Sequence, residues 1–130
     1  MYADTFYYLA LINSRDAAHQ KAAAMSSQIR RRVITSAWVI QELADGLATP
    51  PARAGFLKLV SVLKADPHTT IVPANENLWQ QGMDLYRSRP DKAWSLTDCI
   101  SFEIMREEGL VDALTADHHF SQAGFNATLK

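Results

Sequence analysis

Residues 95–120, SLTDCISFEIMREEGLVDALTADHHF, decide the fold. The first half, LTDCISFEIMREEG, has the composition and spacing of a helix, with Thr97 as a natural N-cap and Gly109 as its stop. The second half, LVDALTAD, is a short apolar run bounded by turn residues, and this predicts a buried strand. Two aspartates sit at the functional ends of these elements. Asp98 lies in the first turn of the helix, and Asp117 lies just past the strand.

The same alternation extends outward in both directions. MYADTFYYLALI opens with a very short strand ending at Asp4, then places Tyr7, Tyr8, Leu11 and Ile12 at helical spacing. SRDAAHQKAAAMSSQIRRR is alanine-rich and helical. Asp16 is its expected N-cap, and Arg30, Arg31 and Arg32 suit its C-terminal dipole. RRVITSAWVIQELADGL begins as a strand at Val33 and Ile34, turns at Thr35 and Ser36, and becomes a helix that stops at Gly46. TPPARAGFLKLVSVLKAD starts a helix with prolines, which the first turn tolerates. HTTIVPAN is β-branched and closed by Pro73, so it predicts a strand. NENLWQQGMDLYRSR is a helix with Leu78, Met83, Leu85 and Tyr86 as its apolar positions. PDKAWS is a loop, HHFSQAGF a helical turn, and NATL a last edge strand. Strands separated by helices give an α/β fold with a mostly parallel sheet of four to five strands.

The bulk numbers agree. The chain has 130 residues, the size of one domain, and residues 1–130 are expected to form it. An apolar fraction of 48% and a charged fraction of 21% belong to a globular protein. One cysteine, Cys99, excludes an internal disulfide, and no Cys/His spacing suggests zinc. There is no signal-peptide pattern and no membrane-length apolar run, so a cytoplasmic setting is expected. The net charge of −1 excludes a globally basic nucleic-acid binder; any polyanion must meet local patches.

Parallel sheets carry their functional groups at the carboxyl ends of strands. Asp4 and Asp117 occupy two such ends, and Asp98 begins a helix above the same edge. Glu42 stands two turns into the helix after the second strand, among apolar Val39, Ile40 and Leu43. Four converging carboxylates repel one another, and burial makes their charged forms worse. A divalent cation offsets this, and an all-oxygen donor set matches Mg²⁺ or Mn²⁺. Hydrolysis of a phosphodiester is the chemistry such a site serves.

In order along the chain, ADTFYYLALI, ITSAWVIQELADGL, SLTDCISFEIM and ALTADHHFSQAGF resemble the PIN-domain ribonucleases, in particular the VapC-like toxins of toxin–antitoxin pairs. The resemblance runs from about residue 2 to residue 126. It implies a three-layer α/β/α fold and a Mg²⁺- or Mn²⁺-dependent endoribonuclease. It also implies an RNA substrate, a cognate antitoxin and commonly a homodimer. The family's acidic site carries over to Asp4, Glu42, Asp98 and Asp117, with Thr5 and Thr115 as hydroxyl positions beside it. Some members have a further acid past the last aspartate; Ser121 stands in that region here.

Each acid also has a plain structural reading. Asp4 can cap a helix, Asp98 can pair with Ser95 in a capping box, Asp117 can cap the turn after it, and Glu42 can be a solvated helix residue. His118 and His119 are adjacent, so they cannot both face inward from one turn, and their roles stay open. Arg87, Arg89 and Lys92 are the candidate phosphate contacts; Arg30 to Arg32 form a second cluster. Trp94 is a candidate for stacking on a base. Tyr7, Tyr8 and Trp79 are candidates for a homodimer contact, and Trp38, Leu43, Phe56 and Leu57 for an antitoxin groove. Two rival functions remain: a PIN-like module that binds RNA or protein without cutting, and a different α/β metal enzyme such as a phosphatase or receiver. A receiver needs a lysine at a strand end, which Lys58, Lys64 and Lys92 do not provide.

Overall fold

A computed structural model describes residues 1–130. Five strands form one sheet in the order β3-β2-β1-β4-β5, and every pairing is parallel. They are β1 (Tyr2–Ala3), β2 (Val33–Ser36), β3 (Thr69–Val72), β4 (Asp112–Leu114) and β5 (Asn126–Ala127). The helices between them are α1 (Thr5–Ile12), α2 (His19–Gln28), α3 (Ala37–Gly46), α4 (Ala52–Ala65), α5 (Glu76–Ser88), α6 (Leu96–Glu107) and α7 (His118–Gln122). The sheet is central and helices flank it, as the α/β reading requires.

The strand order fixes where a site can form. Connections from β1 through β3 step outward in one direction, and those from β3 through β5 step back past β1. Right-handed crossovers then place α1 to α4 on one face and α5 to α7 on the other. The reversal opens a crevice between β1 and β4 at the carboxyl edge, where open parallel sheets bind ligands. Tyr2 pairs with Ala113 and Ala3 with Leu114, so the residues after both strands leave the sheet side by side.

Burial explains the brevity of β1. Tyr2 and Ala3 are fully buried between β2 and β4, and a central strand of two residues needs no polar alternation. The Tyr2 hydroxyl lies 2.8 Å from Ser101 Oγ and 3.3 Å from Ser36 Oγ, which satisfies its polar tip inside the core. On α6, Cys99, Ile100, Ser101, Phe102, Ile104 and Met105 are all buried. Phe102 meets Trp94 and Phe120 edge to face, with ring centroids 5.1 and 5.0 Å apart.

Several local expectations are corrected. Ser95, not Thr97, is the N-cap of α6, because Ser95 and Asp98 close a reciprocal capping box. Asp16 caps no helix: α2 begins at His19, and Asp16 Oδ1 accepts from the Ala18 N–H in the turn before it. Arg30 to Arg32 lie beyond the end of α2. On α5 the buried positions are Leu78, as expected, and Gly82, whereas Tyr86 is 51% exposed. A Cβ at Gly82 would collide with Ile100 Cγ1 and lie 3.3 Å from the Ile100 Cα, so the glycine sets how closely α5 and α6 approach. Gly82→Ala is expected to destabilise the protein by about 1–3 kcal/mol through overpacking, read as a lower urea midpoint at unchanged m-value.

Candidate functional site

Asp4 follows β1 and is 4% exposed. It has the backbone angles of an N-cap for α1, but its side chain makes no capping hydrogen bond. Its Oδ2 instead accepts from Thr115 Oγ1 at 3.1 Å, across the crevice from β1 to the end of β4. The Thr115 hydroxyl oxygen also accepts from the Asp117 N–H at 3.0 Å. One buried hydroxyl therefore fixes Asp4 and the start of the Asp117 turn together. Thr5 acts on the opposite side, donating to Glu42 Oε1 at 2.6 Å. That contact aims a half-buried carboxylate of α3 at the end of β1.

Asp98 stands at N3 of α6, with its carboxylate 10% exposed. Its Oδ2 accepts from the Ser95 N–H at 3.0 Å and lies 3.0 Å from His119 Nδ1. The capping box and a role in the site are thus compatible, because a carboxylate oxygen accepts more than one hydrogen bond. Asp117 is the N-cap of α7 and accepts from the His119 N–H at 2.9 Å. Its structural reading holds as well, and the same cap brings His119 inward.

Electrostatics mark the place as costly. Burial pushes the Asp4 carboxyl up to about 7, the Asp98 and Glu42 charges push the same way, and the Thr5 and Thr115 hydrogen bonds oppose them. Asp98 is raised too, first by burial and then by Asp117, against the Ser95 N–H and His119. The only ion-pair contacts the four acids make are those of Asp98 and Asp117 with histidines. No lysine or arginine neutralises the cluster. An all-oxygen acidic set, two members of which resist ionisation, has the chemistry of a divalent-cation site. Thr115→Val should strip the hydroxyl from both Asp4 and the Asp117 N–H while keeping the shape. The expected result is a loss of divalent-ion affinity of about 10- to 100-fold, measured by calorimetry.

His119 is the residue that the sequence did not place. Its Nδ1 lies 3.0 Å from Asp98 Oδ2 and 3.4 Å from Asp117 Oδ1, whereas His118 points outward at 67% exposure. The adjacency rule foresaw that only one would face inward but not which. Ser121, expected near the acidic edge, is exposed.

Other candidates shift with the tertiary packing. Trp94 is 5% exposed, donates through Nε1 to Gln122 Oε1 at 3.0 Å, and carries Arg89 over its ring at 5.1 Å. It has no free face for a base. Arg89 is paired with Asp91 and Arg87 with Asp84, both exposed pairs of the weak kind, while Lys92 lies 6.0 Å from the Trp94 ring. All three cations line one cleft of about 580 Å³ with Met83 and Tyr86. Tyr7 and Tyr8 are buried, at 4% and 2% exposure, so of the dimer candidates only Trp79 is at the surface. Leu43 belongs to the core and Leu57 is exposed, so the groove expected for an antitoxin is not built as foreseen. A smaller cleft of about 220 Å³ opens beside Glu42 instead, lined by Trp38, Gln41, Asp45, Trp79 and Thr97. Lys58 and Lys64 lie on α4 and Lys92 in the loop after α5, away from strand ends, which removes the support for a receiver.

Comparisons with known proteins place the fold in a family. Two curated relatives share 28% identity over 131 aligned positions, covering 96% of this chain and 95% of theirs. Both are the 23S rRNA-specific endonuclease VapC20, from two strains of Mycobacterium tuberculosis. The crystal structure of Mycobacterium tuberculosis VapC20, described as a sarcin-ricin loop cleaving toxin, superposes with a TM-score of 0.87 at 24% identity, over 95% of each chain. FitAcB from Neisseria gonorrhoeae superposes with a TM-score of 0.66 at 19% identity, over 97% of this chain and 94% of that one. The family model described as PIN domain matches residues 1–126, from the strand before Asp4 through the Asp117 turn, and the chain belongs to the PIN domain family.

Proposed function

We propose that this protein is an endoribonuclease that hydrolyses RNA phosphodiester bonds with Mg²⁺ or Mn²⁺, as the toxin component of a toxin–antitoxin pair. The observation that carries the reading is the convergence of Asp4, Glu42, Asp98 and Asp117 at the β1–β4 crevice without a lysine or arginine to balance them. A protein that only binds gains nothing from that repulsion, and RNA phosphates would be repelled by it. Asp4, Glu42, Asp98 and Asp117 would hold the ion. When bound, it supplies Lewis-acid activation of water and screens charge developing on the phosphate.

The chain's own groups supply the rest. Thr115 holds the Asp4 carboxylate in place, Thr5 holds Glu42, and the Ser95 N–H holds Asp98. Each constraint removes side-chain freedom before substrate arrives, which is the preorganisation catalysis needs. His119 closes the site, with its Nδ1 3.0 Å from Asp98 Oδ2 and 3.4 Å from Asp117 Oδ1. Arg87, Arg89 and Lys92 contact RNA phosphates. The Arg–Asp pairs of the two arginines are exposed and weak, so exchanging the aspartate for a phosphate costs little.

The VapC20 relatives cut 23S rRNA, so a structured rRNA hairpin is the first substrate to try here. The cleft beside Glu42 combines Glu42 and Asp45 with two indoles, a chemistry that takes a cationic side chain of an antitoxin. Residues 1–130 act as one domain, in the cytoplasm, as a homodimer. No helix is long and apolar enough to cross a membrane.

Cleavage of a structured RNA pool by the purified protein, with Mg²⁺, with Mn²⁺ and with EDTA, tests the reading. Discrete products that need the ion and vanish in Asp98→Asn support it. RNA binding that persists in EDTA, with no products under any divalent ion, would establish the non-cutting module in its place.

A further inference from the structure

His119 sits inside the acidic site rather than beside it. Its Nδ1 lies 3.0 Å from Asp98 Oδ2 and 3.4 Å from Asp117 Oδ1, and the side chain is 19% exposed. The ring is held there by the chain itself. The His119 N–H donates to Asp117 Oδ1, and α7 turns the ring back over the crevice. Ligand-capable atoms of Asp117, His118 and His119 all lie within 4.8 Å of one another, and Asp98 meets this group through its 3.0 Å contact with His119 Nδ1.

The spacing itself is informative. Around an octahedral ion with bonds of about 2.1 Å, neighbouring ligand atoms stand about 3.0 Å apart. The 3.0 Å contact from Nδ1 to Asp98 matches that spacing with no side chain moved, and the 3.4 Å contact to Asp117 is longer than it. A single Nδ1–H would satisfy the 3.0 Å contact to Asp98 and leave the Asp117 oxygen at 3.4 Å without a proton from this ring. The ligand type then matters. Mg²⁺ favours oxygen and keeps its waters, whereas imidazole nitrogen suits transition ions, whose affinities rise along the first row.

Resting on the metal-dependent reading above, we propose that His119 is a direct nitrogen ligand in this site, completing Asp98 and Asp117, and that it biases the site toward a transition ion such as Mn²⁺ over Mg²⁺. The acids provide charge, which both ions accept. The imidazole provides the discrimination, which only one of them rewards. An oxygen donor at position 119 should reverse the preference.

Pulsed electron paramagnetic resonance of the Mn²⁺-loaded protein reads the ligand directly. The expected spectrum shows nitrogen modulation that is lost in His119→Gln and kept in His118→Gln. Calorimetric titrations with Mn²⁺ and Mg²⁺ accompany it. His119→Gln should weaken Mn²⁺ binding by about 10-fold or more while Mg²⁺ binding stays nearly unchanged, and His119→Asp should favour Mg²⁺. A residue that merely positions Asp98 would lower both affinities alike. Mn²⁺ that binds, and is displaced by Asp98→Asn, but shows no nitrogen coupling overturns the proposal and leaves the acidic site standing. Coupling that disappears in His118→Gln instead overturns it too. Mn²⁺ binding that ignores Asp98→Asn overturns the metal site itself.

Discussion

Asp98→Asn is expected to lower RNA cleavage by more than about 100-fold while the protein stays folded. Removing a group that only orients a ligand costs about 10- to 100-fold, so removing a ligand charge should cost more. The amide keeps the shape and an oxygen that can still accept from the Ser95 N–H, so the start of α6 survives. Asp4→Asn should act in the same way, because its remaining oxygen can still accept from Thr115. Single-turnover cleavage with Mn²⁺ reads the first effect, and thermal melts in EDTA read the second. Full activity in both variants would remove Asp4 and Asp98 from the site. Loss of activity together with loss of the melting transition would show only that they hold the fold.

The second large effect is on stability. In EDTA the protein should lose stability as pH rises from about 4 to 8. The Asp4 carboxyl is lifted from 3.8 to about 7 in the folded chain, chiefly by burial. Between those values the folded state holds a proton that the unfolded chain releases. Stability from this group is therefore fully present below about pH 4 and is lost as pH rises through 7. The full difference corresponds to about 4 kcal/mol, at the upper end of what one buried acid supplies. Asp98 is shifted in the same direction and adds to the slope. Asp66, Asp91 and Asp112 are lowered by hydrogen bonds and contribute the opposite sign in the acid range, and the Met1 amine, lowered by burial and Arg31, does so just below pH 8. Asp4→Asn should flatten the profile between pH 5 and 8 and leave the variant more stable than the parent at pH 8. Urea unfolding at a series of pH values measures it. Identical slopes for parent and variant would show that Asp4 is ionised in the folded state throughout. Saturating Mn²⁺ at pH 8 should restore about 3 kcal/mol when added at 100 times its Kd.

Both effects have one origin. Asp4 and Asp98 are placed where burial costs stability, and of the two only Asp98 also serves its helix, by closing the capping box of α6. Asp4 makes no capping bond, so the helix it precedes does not account for it. Sites that must bind charge commonly trade stability in this way.

Local chemistry was readable in the chain. Helical spacing, β-branched and short apolar runs, and the turn residues between them placed all five strands and the long helices. Acids at the ends of β1 and β4, in the first turn of α6 and among the apolar residues of α3 named Asp4, Asp117, Asp98 and Glu42 as candidates before any contact was known. Thr5 and Thr115 entered as hydroxyl positions implied by the family resemblance, and both contact carboxylates of the candidate site. The misplacements share a cause. Thr97 lost the cap to Ser95 because a cap is settled by which side chain reaches the N3 amide, a choice made by backbone angles. Tyr7, Tyr8 and Trp94 have amphipathic rings that suit surface or core, and only packing against neighbouring elements buried them. Which of His118 and His119 turns inward depends on where Asp117 leaves the sheet, and that is set by the pairing of β4 with β1.

The sequence by itself determined the alternation of elements and nominated the acids as candidates, because both rest on short-range spacing and side-chain chemistry. The tertiary structure alone decided that β1 and β4 are neighbours at the reversal of strand order. That adjacency brings positions 4 and 115 within hydrogen-bonding distance across 111 residues. It also delivers His119 to Asp98. Those contacts arise from long-range pairing, whose free energy comes from the whole buried sheet and is written in no single segment.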